Sequence, residues 1–558
     1  MILQRLVEFS SRTDTLPAMY QKSRVRWLID LDSSGRLIST RLVPLTGGDS
    51  RGRDRGKEIL VPHIGKTSKI VAKLLADNAE YVLGAGTDAK APARHKAFCD
   101  LIDHCAEQTK EPAVKAVQAF LKTHPDKATL LPQEAEDGEL FTFRVDGILP
   151  VDLPEVRTFW AGHTLGGGHI MQCLICGKTK PVEERLPVKI KGIPGGQTSG
   201  TALVSANSKA FESYGLAASL VAPTCRECGE AFANSANYMI RQDQYHVRVG
   251  PSMYLFWTKE ETAFSPANFL SSPQEEDVKR LIESCRTGQV GGADSDAFYA
   301  LSLSASGGRV VIRDWLSTTV PTVQANLARW FSLQRLLNTD GTPGRPFGVY
   351  ALAAALYLKP NDQMVANVPR VLVRCALYGD MLPNWLLAQA ISRARADKQD
   401  PSRGREKVPR NRAALIKAVL LSQINDYKED YMERLDVSCT SPGYLCGRLL
   451  AELEAAQKAD NNPRATIVDR YYGAASSAPA TVFGNLMRNN QAHMSSLRRD
   501  RPGVFKAIDR NIQEIAAGLK EFPKVLTLKD QALFALGYYH QKTARWAKPD
   551  DTNDQEEK

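Results

Sequence analysis

Cys173-Leu174-Ile175-Cys176-Gly177 and Cys225-Arg226-Glu227-Cys228-Gly229 are two CxxCG knuckles, the residues of this chain whose type and spacing most directly specify chemistry. Each CxxC turn offers two thiolates to one ion, and the glycine after it lets the backbone fold tightly around them. Four sulfur ligands complete a tetrahedron, leaving no open coordination position. The expected cofactor is therefore one structural zinc on Cys173, Cys176, Cys225 and Cys228. Two pairs of ordinary thiols or redox turns are the competing reading. The stretch between the knuckles is longer than a minimal zinc ribbon needs, so an inserted element must loop out. His163 and His169 lie near the first knuckle but are not required as ligands. His95, Cys99, His104 and Cys105 could be drawn as a second metal group, yet without knuckles they read as polar and core residues of a helix.

Nucleotide-hydrolysis motifs fail on spacing. Gly65-Lys66-Thr67 ends like a phosphate loop, but Leu60 stands where the first glycine of that cradle must be. Gly52 to Lys57 is one residue short, and the glycines at 166–168 and 192–200 lack the lysine ending. No His-Ser-Asp or paired-carboxylate arrangement can be singled out, so a non-enzymatic protein is expected. Basic clusters are the stronger signal. Arg51, Arg53, Arg55 and Lys57 alternate with small residues, and Lys66, Lys69 and Lys73 follow. Cations on a loop can follow a phosphate backbone and release its counterions. A second run joins Arg393, Arg395, Lys398, Arg403, Arg405, Lys407, Arg410 and Arg412, broken by Pro401 and Pro409; its competing reading is a solvated connection between helices. Few aromatics interleave there, so base stacking is not expected.

These residues need elements to position them. Val25 to Leu31 alternates like a strand, and Asp32-Ser33-Ser34-Gly35 turns it back into Arg36-Leu37-Ile38, which predicts a hairpin. Helical spacing is expected over 69–83 and 93–108. Residues 160–240 are rich in Gly, Pro and Cys, as a metal-stapled subdomain would be. Strand-like runs return at Met253 to Trp257 and Val310 to Ile312. Beyond the turn-rich Asn338 to Gly344 strand signals nearly vanish, and Ser441-Pro442 opens a helix with Leu445, Leu449 and Leu453 on one face. The expected class is α+β: a mixed α/β N-terminal region with a zinc-knuckle subdomain and a C-terminal all-α helical bundle. The expected division is 1–155, 156–245, 246–340 and 345–558.

At 558 residues, 43% hydrophobic, the chain can build several cores, and its net charge of +10 favours a polyanionic partner. The N-terminus has no apolar leader and no run is long enough for a membrane span, so a cytoplasmic protein with no membrane partner is expected. Ten cysteines spread from Cys99 to Cys446 suit a reduced compartment and favour metal over disulfides. The tail from Asp550 to Glu557 is acidic and reads as solvated disorder.

Four strings give a resemblance: KIKGIPGGQTSG (189–200) with FESYG (211–215), and DRYYGAASSAPATVF (469–483) with FALGYYHQK (534–542). With LLADNAEYVLG (74–84) and VVIRDWL (310–316), the chain resembles the large subunit of the subtype I-C CRISPR surveillance complex, type I-C Cascade, over nearly its whole length. The resemblance implies a non-catalytic subunit at the 5′ end of a guide RNA. Such a subunit detects the protospacer-adjacent motif (PAM) in double-stranded DNA, stabilises the R-loop by holding the displaced strand, and recruits the helicase–nuclease for antiviral defence. Implied partners are the guide RNA, target DNA, the CRISPR backbone subunits, the guide 5′-end subunit, the small subunits and the helicase–nuclease. The second cysteine pair is not carried by the resemblance, so zinc rests on spacing. Against this stand a zinc-containing nucleic-acid-processing enzyme, which needs a phosphate loop or acidic metal ligands that are not visible, and a purely structural ribonucleoprotein scaffold.

Motif reading is expected of the N-terminal part, where Asn78 offers an amide near Lys66 and Lys73. A helix residue hydrogen-bonded within the fold is the competing reading of Asn78. The run through Arg403, Arg405 and Arg410 is expected to guide the displaced strand. Lys428-Glu429-Asp430 can be encoded AAGGAGGAY, a purine-rich ribosome-binding sequence just before Met432. Since the resemblance implies small subunits made from an internal start, residues 432–558 are expected as a separate small-subunit-like protein.

Overall fold

The computed structural model describes residues 2–545 except 14–18, 48–55, 65–69, 87, 125, 165–168, 207, 288–295, 339, 400–405 and 425–431. About 50% of it is helix and 16% strand, so the α+β class holds. The chain forms two compact units, Met1–Ile190 with Ala202–Tyr238, and Lys191–Thr201 with Met239–Lys558.

In the first unit a five-stranded sheet is built on β1 (Tyr20–Leu31). Strand β2 (Val43–Pro44) and strand β3 (Lys57–Pro62) pair antiparallel with β1, strand β5 (Leu140–Val145) pairs with it in parallel, and strand β4 (Ala76–Asn78) joins the outer edge of β5. Trp27, Ile29, Leu31, Phe141 and Phe143 bury against Phe98, Ile102 and Phe120 from the helices Ala91–Thr109 and Pro112–Thr123. The turn at Asp32–Gly35 forms as expected, with Gly35 N donating to Asp32 O at 3.0 Å. The return through Arg36 to Ile38 makes only the single bridge Leu31↔Leu37, because the long ladders of β1 go to β3 and β5 instead. Helical spacing over 93–108 is realised; over 70–83, the described part of 69–83, it is not. There Asp77 accepts hydrogen bonds at 2.9 Å from the backbone N–H groups of Lys73 and Asn78, and β4 pairs with β5, so the groups a helix would use are engaged. Only Ala79–Val82 turns helically.

Strands β6 (His169–Gln172) and β7 (Thr179–Val182) make a separate hairpin that carries the first knuckle, and the helix Arg226–Arg241 carries the second.

The second unit holds an antiparallel sheet in the order β11-β10-β9-β8, formed by β8 (His246–Val249), β9 (Ser252–Thr258), β10 (Ala297–Ser306) and β11 (Arg309–Thr319). One face of it, with Tyr254, Phe256, Phe298 and Leu316, joins a cluster of buried side chains that runs on to Tyr539. Inside this unit Asn338 N donates to Thr342 O at 2.7 Å, and the cluster draws residues from both before 338 and after 344. A sheet face must be covered, and the helices after the turn help to cover this one.

Pro442 does open the helix Pro442–Asp460, though the Ser441 hydroxyl makes no capping bond. That helix is buried all round instead of along one stripe, and it packs on Leu528–Ala544 at unusually close range. A Cβ at Gly447 would lie 2.0 Å from Phe534 O, and one at Gly537 would lie 2.2 Å from Tyr444 O. Burial on every side brings charge inside, where it must be paired. Gln541 donates to Glu452 at 2.7 Å, Tyr538 to Glu454 at 2.6 Å, and Arg448 to Gln541 at 2.8 Å.

Candidate metal centre and nucleic-acid contacts

The two knuckles meet although 52 residues separate Cys173 from Cys225. The β6–β7 hairpin folds the first one over: Gly177 N donates to Cys173 O at 2.9 Å, Cys173 N donates to Lys178 O at 3.0 Å, and Gly177 takes a φ of +72°. The second is stitched beside it by the Val182↔Cys225 bridge and by Leu174 N donating to Pro223 O at 2.9 Å. Cys228 stands in the first turn of Arg226–Arg241. All four sulfurs lie within 4.8 Å of one another, and Cys176 Sγ is 3.9 Å from Cys225 Sγ. Four thiolates on zinc, with bonds of about 2.3 Å, require sulfur separations of about 3.8 Å.

Electrostatics make the same demand. Burial opposes charge on Cys173, but backbone N–H groups of Cys225, Cys176 and Ile175 point at its sulfur and bring the thiol down to about 6. Burial and the neighbouring sulfurs push Cys225 and Cys228 upward. The Cys173 thiolate is thus ready, and Cys225 and Cys228 need a cation beside them to ionise. The donor set fits a tetrahedral metal with no remaining ligand position.

Among the described residues no other group of three or more metal-ligating side chains converges. His95 and Cys99 do share a helical face, with Cys99 Sγ 3.6 Å from His95 Nε2, but His95 Nδ1 is bound at 2.8 Å to the Tyr81 carbonyl. His163 faces His104, with ring centroids 5.3 Å apart, and is not among the four clustered ligands.

Of the first basic cluster, Arg51, Arg53, Arg55, Lys66 and Lys69 lie outside the described residues. Lys73 is half-buried, and its ammonium meets no partner among the described residues. Asn78 ends β4 and caps Ala79–Val82, its Oδ1 accepting from Tyr81 N at 3.4 Å. Its amide NH2 has no partner among the described residues. Asp77 and the bond from Thr142 Oγ1 to Leu75 O at 3.0 Å hold this corner rigid, with Leu75 at a φ of +58°.

Of the second basic run, Arg403 and Arg405 lie outside the described residues and Lys398 is exposed, while Arg393, Arg395, Lys407, Arg410 and Arg412 engage partners within the unit. Arg393 is bonded to Asp397, while Arg395 reaches Ser476 at 3.1 Å and Gln531 at 2.8 Å. Lys407, 2% exposed, donates to the Arg395 carbonyl at 3.1 Å. Arg412, 4% exposed, pairs with Asp397 at 2.7 Å and donates to Ala355 O at 3.0 Å, and burial lowers its pKa to about 10. Arg410 donates to Arg345 O at 2.7 Å and lies over the Phe347 ring. Sequence reasoning missed this because Asp397 is one of three acids among eight bases from 393 to 412, and Ala355 and Arg345 supply only backbone carbonyls. Met432 has a φ of +58° and packs partly buried on the second unit's core; residues 427–431 lie outside the described set.

No helix among the described residues is long and apolar enough to cross a membrane. No curated protein matches the chain. A family model described as CRISPR-associated protein (Cas_Csd1) matches residues 3–546, which takes in both units and the cysteine cluster. The chain therefore belongs to the CRISPR-associated Cas_Csd1 family, the large subunit of the type I-C Cascade.

Proposed function

We propose that this chain recognises the protospacer-adjacent motif in duplex DNA through its first unit, stabilises the R-loop, and recruits the helicase–nuclease while performing no chemistry itself. The observation that carries motif reading is the corner at Asn78. Its carbamoyl oxygen is committed to the cap, its NH2 group has no partner among the described residues, and Lys73 precedes it by five residues on a turn held by Asp77. A fixed donor reads a base edge with less ordering cost than a mobile one, and nearby cations hold phosphates without reading sequence. Lys66, Arg51, Arg53 and Arg55 extend that phosphate contact. Arg403 and Arg405 take the displaced strand, with Arg410 anchoring the segment's end. The four cysteines hold one structural zinc. Residues 432–558 are also made separately from Met432 as a small subunit, testable by intact-mass analysis of the purified complex before and after Met432→Leu.

Asn78→Ser tests the motif reading, because serine keeps a capping oxygen and removes the amide donors. In the assembled complex this variant is expected to lose about tenfold of its discrimination between right and wrong adjacent motifs. Lys73→Ala should weaken both duplexes equally and reduce the salt slope. Unchanged discrimination in Asn78→Ser assigns Asn78 to capping alone.

A further inference from the structure

In the second unit the helix Leu528–Ala544 runs out beside the helix Pro502–Ala517, and one carboxylate fixes the place: Glu452 accepts from Arg545, the residue after Ala544, and from Asn511 Nδ2 at 3.1 Å. Ile508, Ile512 and Ile515 turn one face of Pro502–Ala517 to the core. Lys506 and Arg510, four residues apart, share the opposite face and are exposed. Neither makes a hydrogen bond or an ion pair among the described residues. Arg498, also exposed, comes to the same end of the bundle from the helix Phe483–Asp500, its guanidinium 5.2 Å from the centre of the Phe505 ring. The three acids of these two helices, Asp500, Asp509 and Glu514, are already bonded to Arg499, Gln513 and Arg448.

Arg545 leads into Trp546 to Lys558, thirteen residues outside the described set, in which Asp550, Asp551, Asp554, Glu556 and Glu557 stand against Lys548 and Lys558. The direction of departure matters. Arg501 donates to Ala459 O at 3.1 Å, while Asn511 and Arg545 meet at Glu452, about 10 Å back along the helix Pro442–Asp460. Lys506 lies between those two contacts, on the path of a chain that continues past Arg545. Thirteen extended residues reach about 45 Å, so every one of these cations is within range. A tether of this kind holds its carboxylates beside the face at about millimolar effective concentration. Exposed ion pairs are individually weak, and one contact would not hold the tail. Five carboxylates against three cations that lack an acid partner among the described residues supply several contacts at once.

We infer that the segment from Asp550 to Glu557 folds back across the outer face of Pro502–Ala517, its carboxylates occupying Arg510, Lys506 and Arg498. The tail is then an internal competitor for that face, and a polyanion has to displace it to reach the cations. Screening at 0.1 M salt leaves such attraction a range of about 10 Å, so the cover loosens as salt rises. This rests on the placement of Arg545 and is independent of the role given to Asn78.

The test treats the assembled complex with a water-soluble carbodiimide, which joins a carboxylate to a lysine only where the two are in contact, and reads the digest by mass spectrometry. Lys506 should be the main lysine outside the tail that is joined to Asp550–Glu557, with a yield that falls about fivefold in high salt. A variant ending at Arg545 should keep its melting temperature and subunit assembly, and should bind an oligo-dT strand about tenfold more tightly at low salt. Adding Lys506→Ala and Arg510→Ala to that variant should remove the gain. Tail links spread evenly over the exposed lysines of the second unit overturn the fold-back. Links between isotopically light and heavy copies, after the two are mixed, overturn it in favour of contact between copies, and Lys506 joined to another subunit overturns it in favour of a protein contact. Unchanged oligo-dT affinity on removing the tail overturns the competition.

Discussion

The cysteine cluster and the basic run from Arg393 to Arg412 are two concentrations of chemistry-bearing residues, and folding treats them oppositely. Four cysteines drawn from two distant knuckles bring their sulfurs within 4.8 Å of one another, where they could hold one ion. Several cations adjacent in sequence are instead distributed among separate partners inside one unit: Asp397, Ser476, Gln531 and the carbonyls of Ala355 and Arg345. The difference lies in what each group requires. A thiolate set is satisfied by one metal and announces that through short spacing. A guanidinium is satisfied by any oxygen, so proximity in sequence does not reveal whether it meets a phosphate or a carbonyl of its own chain.

The comparison breaks most decisively at the metal. Cys228→Ser, or prolonged chelation, should take zinc from one equivalent to none by elemental analysis and greatly increase hydrogen exchange in 169–182 and 223–241. Structural zinc sites contribute about 10–16 kcal/mol of binding free energy that is folding free energy, so no other substitution should have a larger local effect. Protein purified without chelators that contains no metal would remove the zinc.

Next comes the inward-turned run. Arg412→Ala should destabilise the second unit by about 3 kcal/mol, since it leaves Asp397 and the Ala355 carbonyl short of a partner in the interior. The double variant Arg403→Ala with Arg405→Ala should leave thermal stability unchanged and flatten the salt dependence of R-loop stability. Equal melting temperatures for the two variants would show that Arg412 is not a strut.

A smaller effect separates the two regions by pH. Burial holds His540 neutral, with its pKa lowered to about 3 from 6.5, Lys417 adding to the shift while Tyr444 Oη sits 2.9 Å from Nδ1. Below pH 6.5 the unfolded chain takes up a proton that the folded chain refuses. This stability is therefore fully present above pH 6.5 and is lost as pH falls towards 3. Between pH 6.5 and 5 the loss is about 2 kcal/mol, and urea unfolding of His540→Gln should show a correspondingly weaker dependence. Identical pH profiles would assign the loss to other groups.

The smallest effect is at Gly177. Its φ is +72° and a Cβ would meet nothing within 4 Å, so Gly177→Ala should cost only about 1 kcal/mol of backbone strain and retain metal. Loss of metal in this variant would show that the knuckle tolerates far less movement than its open surroundings imply.

How much was legible can be judged residue by residue. The helix Ala91–Thr109, the turn at Asp32–Gly35 and the opening of a helix at Pro442 follow from local patterns, because those elements satisfy their backbone groups within a few residues. The 69–83 stretch misleads because one carboxylate, Asp77, and one distant strand, β5, take its backbone groups. The stripe Leu445, Leu449 and Leu453 is real, but it does not reveal that the opposite face, with Glu452, is buried too.

The sequence by itself determined the candidate ligands Cys173, Cys176, Cys225 and Cys228, the family and the α+β class, because spacing, motif order and periodicity are properties of the chain. Tertiary structure alone decided that the knuckles meet, that Asn78 caps a turn and that Arg412 is internal. Burial is the physical reason: whether a side chain is hydrated or enclosed depends on chain segments remote in sequence, and that choice determines whether a charge supports the fold or faces a partner.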